Sequence, residues 1–181
     1  MEIIETGIEG LVELQPNVIG DSRGFFIESY RESLFEKYGL ETGFVQDNES
    51  FSIKGTLRGL HYQKPPYAQG KLVRVLTGKV IDLVVDLRTN SKTFGKHHKV
   101  ILDAKKHNQM FIPSGFAHGF AAIEDSVFSY KCTNYYNKES ESGVFWNDKS
   151  LSLDWGIENP IISEKDLVLP TFAEIKANPP F

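Results

Sequence analysis

The sequence holds a single cysteine, Cys132, among 181 residues. An intrachain disulfide is therefore excluded, which suits a reducing cytoplasm. Long hydrophobic runs are missing too. The most apolar stretch, Val80 to Leu87, is broken by Asp82 and Asp86 and is far too short to cross a bilayer. The opening residues, Met1-Glu2-Ile3-Ile4-Glu5, lack the basic start and apolar core of a signal peptide. No repeat, low-complexity tract or Pro/Gly/Ser linker divides the chain, so one domain over residues 1–181 is expected. There is no basic excess. A net charge of -4 gives no global attraction for nucleic acid or an anionic membrane, so an anionic ligand needs a local cluster of Lys and Arg.

What is present is globular in balance, with 40% apolar and 24% charged residues, and rich in aromatics that pack well on pleated surfaces. The spacing predicts one helix from Arg31 to Tyr38, ended by Gly39, which tolerates the left-handed conformation of a helix stop. Strands are expected at Phe44 to Ile53, Thr56 to Gln63, Lys71 to Leu76 and Val80 to Leu87. Lys54-Gly55 and Thr77-Gly78-Lys79 between them have hairpin character. Further strands are expected at Lys99 to Leu102, Gln109 to Ile112, Ala117 to Ile123 and Val127 to Thr133, with mixed loop and helix from Ser163. Short strands with regular turns indicate an all-β antiparallel sandwich or barrel.

Several segments carry residues suited to chemistry. In Arg58-Gly59-Leu60-His61-Tyr62-Gln63, alternation puts Arg58, Leu60 and Tyr62 on one face and His61 on the other, with Gly59 leaving open space beside the imidazole. His61 is either a base or a hydrogen-bonded structural histidine. Lys71 is either a charge aimed at an oxyanion or phosphate, or a solvated strand end. His118, in Pro113-Ser114-Gly115-Phe116-Ala117-His118-Gly119-Phe120, suits a ligand contact or a satisfied buried site equally well. Tyr130 is a packing residue or an acid, and Tyr136 closes the core or offers a flat surface to a sugar. Ser163-Glu164-Lys165-Asp166 fits a capping box; the sharper alternative is that Asp166 bonds the far nitrogen of His61. Arg23 is a turn residue or a grip on phosphate. His61 lacks a second histidine two residues on, and His97 and His98 point to opposite faces, so no catalytic metal is expected.

Together these segments resemble the dTDP-4-dehydrorhamnose 3,5-epimerase family. The resemblance rests on Asp21-Ser22-Arg23-Gly24-Phe25-Phe26, Gln46-Asp47-Asn48, Leu57 to Gln63, Gln69-Gly70-Lys71-Leu72-Val73, Ile112 to Phe120, Tyr130 to Thr133 with Tyr135-Tyr136, Trp146-Asn147-Asp148 and Ser163 to Asp166, in order along nearly the whole chain. It implies a cupin-type jelly-roll barrel with a few short helices, a homodimer in the cytoplasm, and no metal or organic cofactor. The implied reaction inverts carbons 3 and 5 of dTDP-4-keto-6-deoxyglucose on the way to dTDP-L-rhamnose. By the same resemblance His61 is the base, supported by Asp166, Tyr130 is the proton donor, and Lys71 stabilises the enolate. Arg23, Glu28, Gln46, Asp47, Asn48, Arg58, His118, Tyr136, Glu141 and Lys165 are implied to hold the nucleotide, diphosphate or sugar.

Overall fold

The computed structural model describes residues 1–181. The chain opens with β1 (Glu2–Glu5) and β2 (Val12–Gln15), a hairpin of β3 (Val18–Asp21) and β4 (Gly24–Ile27), and helix α1 (Glu32–Lys37). Then come β5 (Gln46–Ser52), β6 (Leu57–Gln63), β7 (Lys71–Thr77), β8 (Lys79–Asp86) and β9 (His97–Asp103). β10 (Gln109–Ile112), β11 (Phe116–Ala122), β12 (Ser126–Cys132) and β13 (Glu141–Gly143) complete the strands, and α2 (Glu164–Leu167) and α3 (Phe172–Ala177) follow.

Six strands form one sheet in the order β1-β2-β10-β7-β12-β5, and five form a second in the order β13-β6-β11-β8-β9. Strand alternation decides the layers. Val73, Val75 and Phe128 of the first sheet meet Val80, Val84, Phe116 and Phe120 of the second in a shared core, so the sheets face each other as a barrel. The opposite side of β8, with Ile81, Leu83 and Val85, lies under Trp155, Phe172 and Ile175 from the C-terminal segment. β8 is therefore buried on both faces, as its near-continuous apolar run predicts. On the outside of the first sheet, Phe35 of α1 packs on Leu72 and Phe111, edge-on to the Tyr30, Phe44 and Phe111 rings. A six-residue helix does not hold in water alone, and burial of Phe35, worth roughly 1.5–3 kcal/mol, anchors it.

The all-β barrel, the helix ended at Gly39 and the strand positions agree with the sequence reading. The two hairpins do not. β5 pairs with β12 while β6 pairs with β11 and β13; β7 pairs with β10 and β12 while β8 pairs with β11 and β9. Lys54-Gly55 and Thr77-Gly78 thus carry the chain from one sheet to the other. Glycine at positive φ reverses the chain at both turns, with Gly55 at +89° and Gly78 at +75°, but turn chemistry does not choose the pairing partner.

β5 is the exception to the apolar interior. Its inward residues are Gln46, Asn48, Ser50 and Ser52, and its outward Asp47, Glu49 and Phe51 are exposed. A strand that turns polar groups into a barrel marks the part of the interior left for something other than packing.

β6 carries a second departure. Its register with β11 runs from His61↔His118 to Arg58↔Phe120, three residues against two, so β6 bulges at Gly59. Arg58 and His61 therefore both turn inward, where plain alternation had put them on opposite faces. Gly59 sits at φ +114°, and a Cβ there would lie 2.6 Å from the Gly119 Cα and 2.7 Å from the His118 carbonyl oxygen. Its bareness admits strand β11, not a ligand. Gly59→Ala should cost about 3 kcal/mol or more through combined overpacking and backbone strain, read as a lowered urea midpoint; an unchanged midpoint would show that the strands can part at no cost.

Candidate active site

The polar side of the barrel opens into a cleft of about 650 Å³ lined by residues from both sheets and from α2. His61 and Arg58 come from β6 and His118 from β11 of one sheet. Lys71 on β7 and Tyr130 on β12 come from the other. Glu141 of β13 and Lys165 and Asp166 of α2 complete it. A smaller pocket adjoins it, sharing His61, Lys71, Tyr130 and Glu141 and adding Gln46, Asn48 and Tyr136. The imidazole of His61 and the phenol of Tyr130 thus look into one cavity from facing sheets.

His61 is oriented by a carboxylate 105 residues away: its Nε2 lies 2.7 Å from Asp166 Oδ1. An ionised carboxylate only accepts, so a proton sits on Nε2, and in the neutral ring it is Nδ1 that carries the lone pair. Asp166 is itself pinned. Its Oδ2 accepts from the Gly59 N–H at 3.2 Å, and its own N–H donates to Ser163 Oγ at 3.3 Å. Ser163 therefore caps α2, but the carboxylate does not return to the cap as a full capping box requires; it is spent on His61. The box that does close is Thr171 with Glu174 at the start of α3. Burial alone would raise the Asp166 carboxyl; the His61 hydrogen bond and charge, the Gly59 N–H and Lys165 outweigh it and hold it below the usual range.

Tyr130 and Lys71 are shifted in opposite directions by the same surroundings. Burial, reinforced by Cys132 and Glu141 against Arg58, pushes the Tyr130 phenol up, so it keeps its proton at neutral pH. Burial lowers the Lys71 ammonium, and Cys132, Asp82 and Glu141 oppose that. Lys71 has no ion-pair partner of its own, whereas Lys165 is bonded to Glu141 at 2.7 Å. Tyr136 donates to the other oxygen of Glu141 at 2.9 Å, so Glu141 ties the loop after β12 to α2 at the cleft mouth. Arg58 donates to Ser52 Oγ at 3.0 Å and to the Phe51 carbonyl at 3.1 Å, with no carboxylate of its own. No three His, Cys, Asp or Glu side chains converge at a spacing that would hold a metal ion.

Of the residues singled out in the sequence, His61, Lys71, Tyr130, Asp166, Arg58, His118, Glu141 and Lys165 line the cleft, and Gln46, Asn48 and Tyr136 line the adjoining pocket. Three lie elsewhere in this chain. Asp47 alternates with its neighbours onto the outer face of β5, where Lys131 Nζ lies 2.6 Å away. Arg23 lies at the tip of the β3–β4 hairpin, joined to neither sheet, and pairs with Asp21. Glu28 pairs with Arg31 at the approach to α1. The sequence reading missed Ser50, Thr56 and Phe128 in the cleft wall. The inward polar positions of β5 were the available signal for Ser50. Gln63, named in the sequence without a role, has an amide that donates to the Tyr67 and Tyr135 carbonyls and accepts from the Asn137 N–H, joining the loops that carry Tyr136.

The profile of the family described as dTDP-4-dehydrorhamnose 3,5-epimerase matches residues 5–174. The enzyme of that name from Shigella flexneri is 50% identical over 169 residues, 92% of this chain and 93% of its own. That from Escherichia coli K12 is 49% identical, over 97% of this chain and 96% of its own. Among solved structures, a dTDP-6-deoxy-D-glucose-3,5-epimerase from Legionella pneumophila, in complex with dTDP-4-keto-L-rhamnose, superposes with a TM-score of 0.94. It is 44% identical over 99% of this chain and 98% of its own. The cleft with its facing histidine and tyrosine therefore sits in a chain that belongs to the dTDP-4-dehydrorhamnose 3,5-epimerase family.

Proposed function

We propose that this chain inverts carbons 3 and 5 of dTDP-4-keto-6-deoxy-D-glucose to give dTDP-4-keto-L-rhamnose, a step of dTDP-L-rhamnose biosynthesis. The observation that carries the reading is the placement of the Asp166-bound His61 and the protonated Tyr130 on opposite walls of one cleft that also holds the unpaired Lys71. His61 Nδ1 takes the proton from the carbon beside the ketone. The bonding pair moves into a carbon–carbon double bond and the keto oxygen becomes an enolate, which Lys71 stabilises. One such well-placed donor is worth roughly 3 to 4 kcal/mol of barrier. Tyr130 returns a proton to the opposite face of the same carbon, leaving a phenolate and an imidazolium that exchange their proton through solvent before the next carbon. Both carbons flank one ketone, so the same base and acid serve in turn.

Arg58 and Lys165 supply local positive charge at the cleft mouth of an otherwise acidic chain, as a diphosphate requires. Gln46, Asn48 and Tyr136 in the adjoining pocket suit the sugar and nucleoside. The proton transfers proposed here use side chains alone, with His61 as the base and Tyr130 as the acid.

Arg23 and Glu28 fit the reading as residues lent to a second copy. The β3–β4 hairpin stands apart from both sheets and exposes Ile19, Phe25 and Phe26 at 66%, 61% and 65%. An isolated two-stranded hairpin is marginal in water, so an apolar cover is expected, and a homodimer provides it.

In deuterated water the product should carry label at carbons 3 and 5. Label at one carbon only would make the chain a single-carbon epimerase or a ketoisomerase, and no label would make it a silent nucleotide- or sugar-binding barrel. His61→Ala should abolish exchange while dTDP binding persists; retained exchange would place the base elsewhere. Arg58→Ala should raise KM about tenfold or more, since charge-assisted hydrogen bonds are worth roughly 1.5–3 kcal/mol, and a normal KM would remove the diphosphate from this wall. Light scattering should give the mass of a dimer, and Arg23→Ala should raise KM although Arg23 is outside its own cleft. A monomeric mass with an unaltered KM would defeat the shared site.

A further inference from the structure

A second histidine–aspartate pair lies inside the barrel beside the first. His118 on β11 is the register partner of His61 on β6, and its Nε2 lies 3.0 Å from both carboxylate oxygens of Asp82 on β8. Asp82 is completely buried and His118 nearly so. As in the first pair, the carboxylate accepts from Nε2–H. Nδ1 of His118 has no protein partner and is not sealed from the cavity that the ring lines.

Packing does not account for a carboxylate here. The neighbours of Asp82 on its face of β8 are Val80 and Val84, and the paired residue on β11 is Phe120, stacked on Phe128 at 4.2 Å. An apolar residue would fill the space without the cost of burying a charge. The contrast with Asp86, the other buried acid of β8, is direct. Asp86 is tied by Arg88, Ser91 and Thr93 into a clasp that uses both its oxygens several times over. Asp82 has His118 alone.

Resting on the proposed proton-transfer reading, we infer that Asp82 is a positioning residue of this site: it fixes the His118 ring with Nδ1 toward a sugar hydroxyl, and it is the buried counter-charge of Lys71. The groups around Lys71 are His61 from β6, His118 from β11, Tyr130 and Cys132 from β12, Glu141 from β13 and Asp82 from β8. Burial holds the Cys132 thiol up and hence neutral, and Glu141 is already bound to Lys165 and Tyr136. That leaves Asp82 as the negative charge not already matched by another cation at the mouth. Since burial lowers Lys71 and Asp82 opposes it, removing the Asp82 charge lowers Lys71 further.

The test is Asp82→Asn in the full chain, which keeps the shape and an accepting oxygen but drops the charge. With the dTDP-4-keto sugar, kcat should fall about tenfold or more while KM stays within about threefold, and the alkaline limb of kcat should move to lower pH. A folded variant with an unaltered kcat and a superimposable pH profile would overturn the inference. If the variant does not fold, nitrogen NMR of the unaltered protein decides: His118 should carry its proton on Nε2, and a proton on Nδ1 with Nε2 bare overturns it. His61→Ala is assayed alongside. Full activity there defeats the proposed function itself, whereas an inactive His61→Ala with a normal Asp82→Asn defeats only the role of Asp82.

Discussion

The bond between Asp166 and His61 joins two parts of the molecule that have little else in common. His61 lies on a strand buried in the barrel wall; Asp166 lies on a four-residue helix in the C-terminal segment. So short a helix has no stability of its own, and its geometry is set by what it touches. Asp166 is held at three points, by the His61 ring, the Gly59 N–H and the Ser163 cap, and two of these belong to elements that meet only in the folded state. The β6 bulge is what makes the arrangement possible. It frees the Gly59 N–H from the regular ladder, presents it to Asp166, and turns Arg58 inward beside His61. One extra residue in one strand thus places His61, its orienting carboxylate and the Arg58 guanidinium together.

Around that anchor the barrel is divided by polarity. The apolar part, with Phe120 stacked on Phe128 and Val73, Val75, Val80 and Val84 about them, gives the rigidity. Along β5 the interior turns polar, and the chain leaves a cleft where a smaller protein would pack. The walls are strands rather than loops, so the side chains that face the cavity are fixed by register: Tyr130 stands opposite Val73 and Asn48, and Cys132 opposite Lys71 and Gln46. Preorganisation of this kind is what electrostatic stabilisation of an enolate needs, because donors that must reorganise lose most of their advantage.

Much of this was legible in the sequence, and the gaps have physical causes. Strand positions followed from apolar alternation, and the covered barrel followed from β8, whose run from Val80 to Val85 has apolar residues on both faces. The pairing of strands was not legible, since Lys54-Gly55 and Thr77-Gly78 report only a reversal of the chain, and which sheet receives the next strand is a long-range matter. The orientation of Arg58 was misread because a bulge at Gly59 is invisible to period-two counting. Asp47 was swept along with Gln46 and Asn48 as a motif, although alternation alone separates it from them. Asp166 was recognisable as a capping residue, while its partner 105 residues upstream could be reached only through the resemblance. Asp82 is visible in the sequence as an interruption of an apolar strand, but alternation gives only its face and not its partner His118 on β11.

The opposed shifts of Tyr130 and Lys71 follow from a single cause, and they limit each other. Enclosure by the barrel favours neutral forms, which keeps the phenol protonated as an acid must be and, by the same means, works against the charge on the lysine. A deeper or drier cleft would improve the acid and lose the cation. Two of the acidic neighbours that relieve the lysine, Cys132 and Glu141, also raise the phenol. The compromise is to bring the negative charge in from the side of Lys71, through Asp82 on β8, and to leave Tyr130 with Arg58 as a partial counterweight. Charge placed by strand identity, rather than by overall acidity, lets one enclosed site keep the phenol protonated while acidic groups oppose the loss of charge on Lys71.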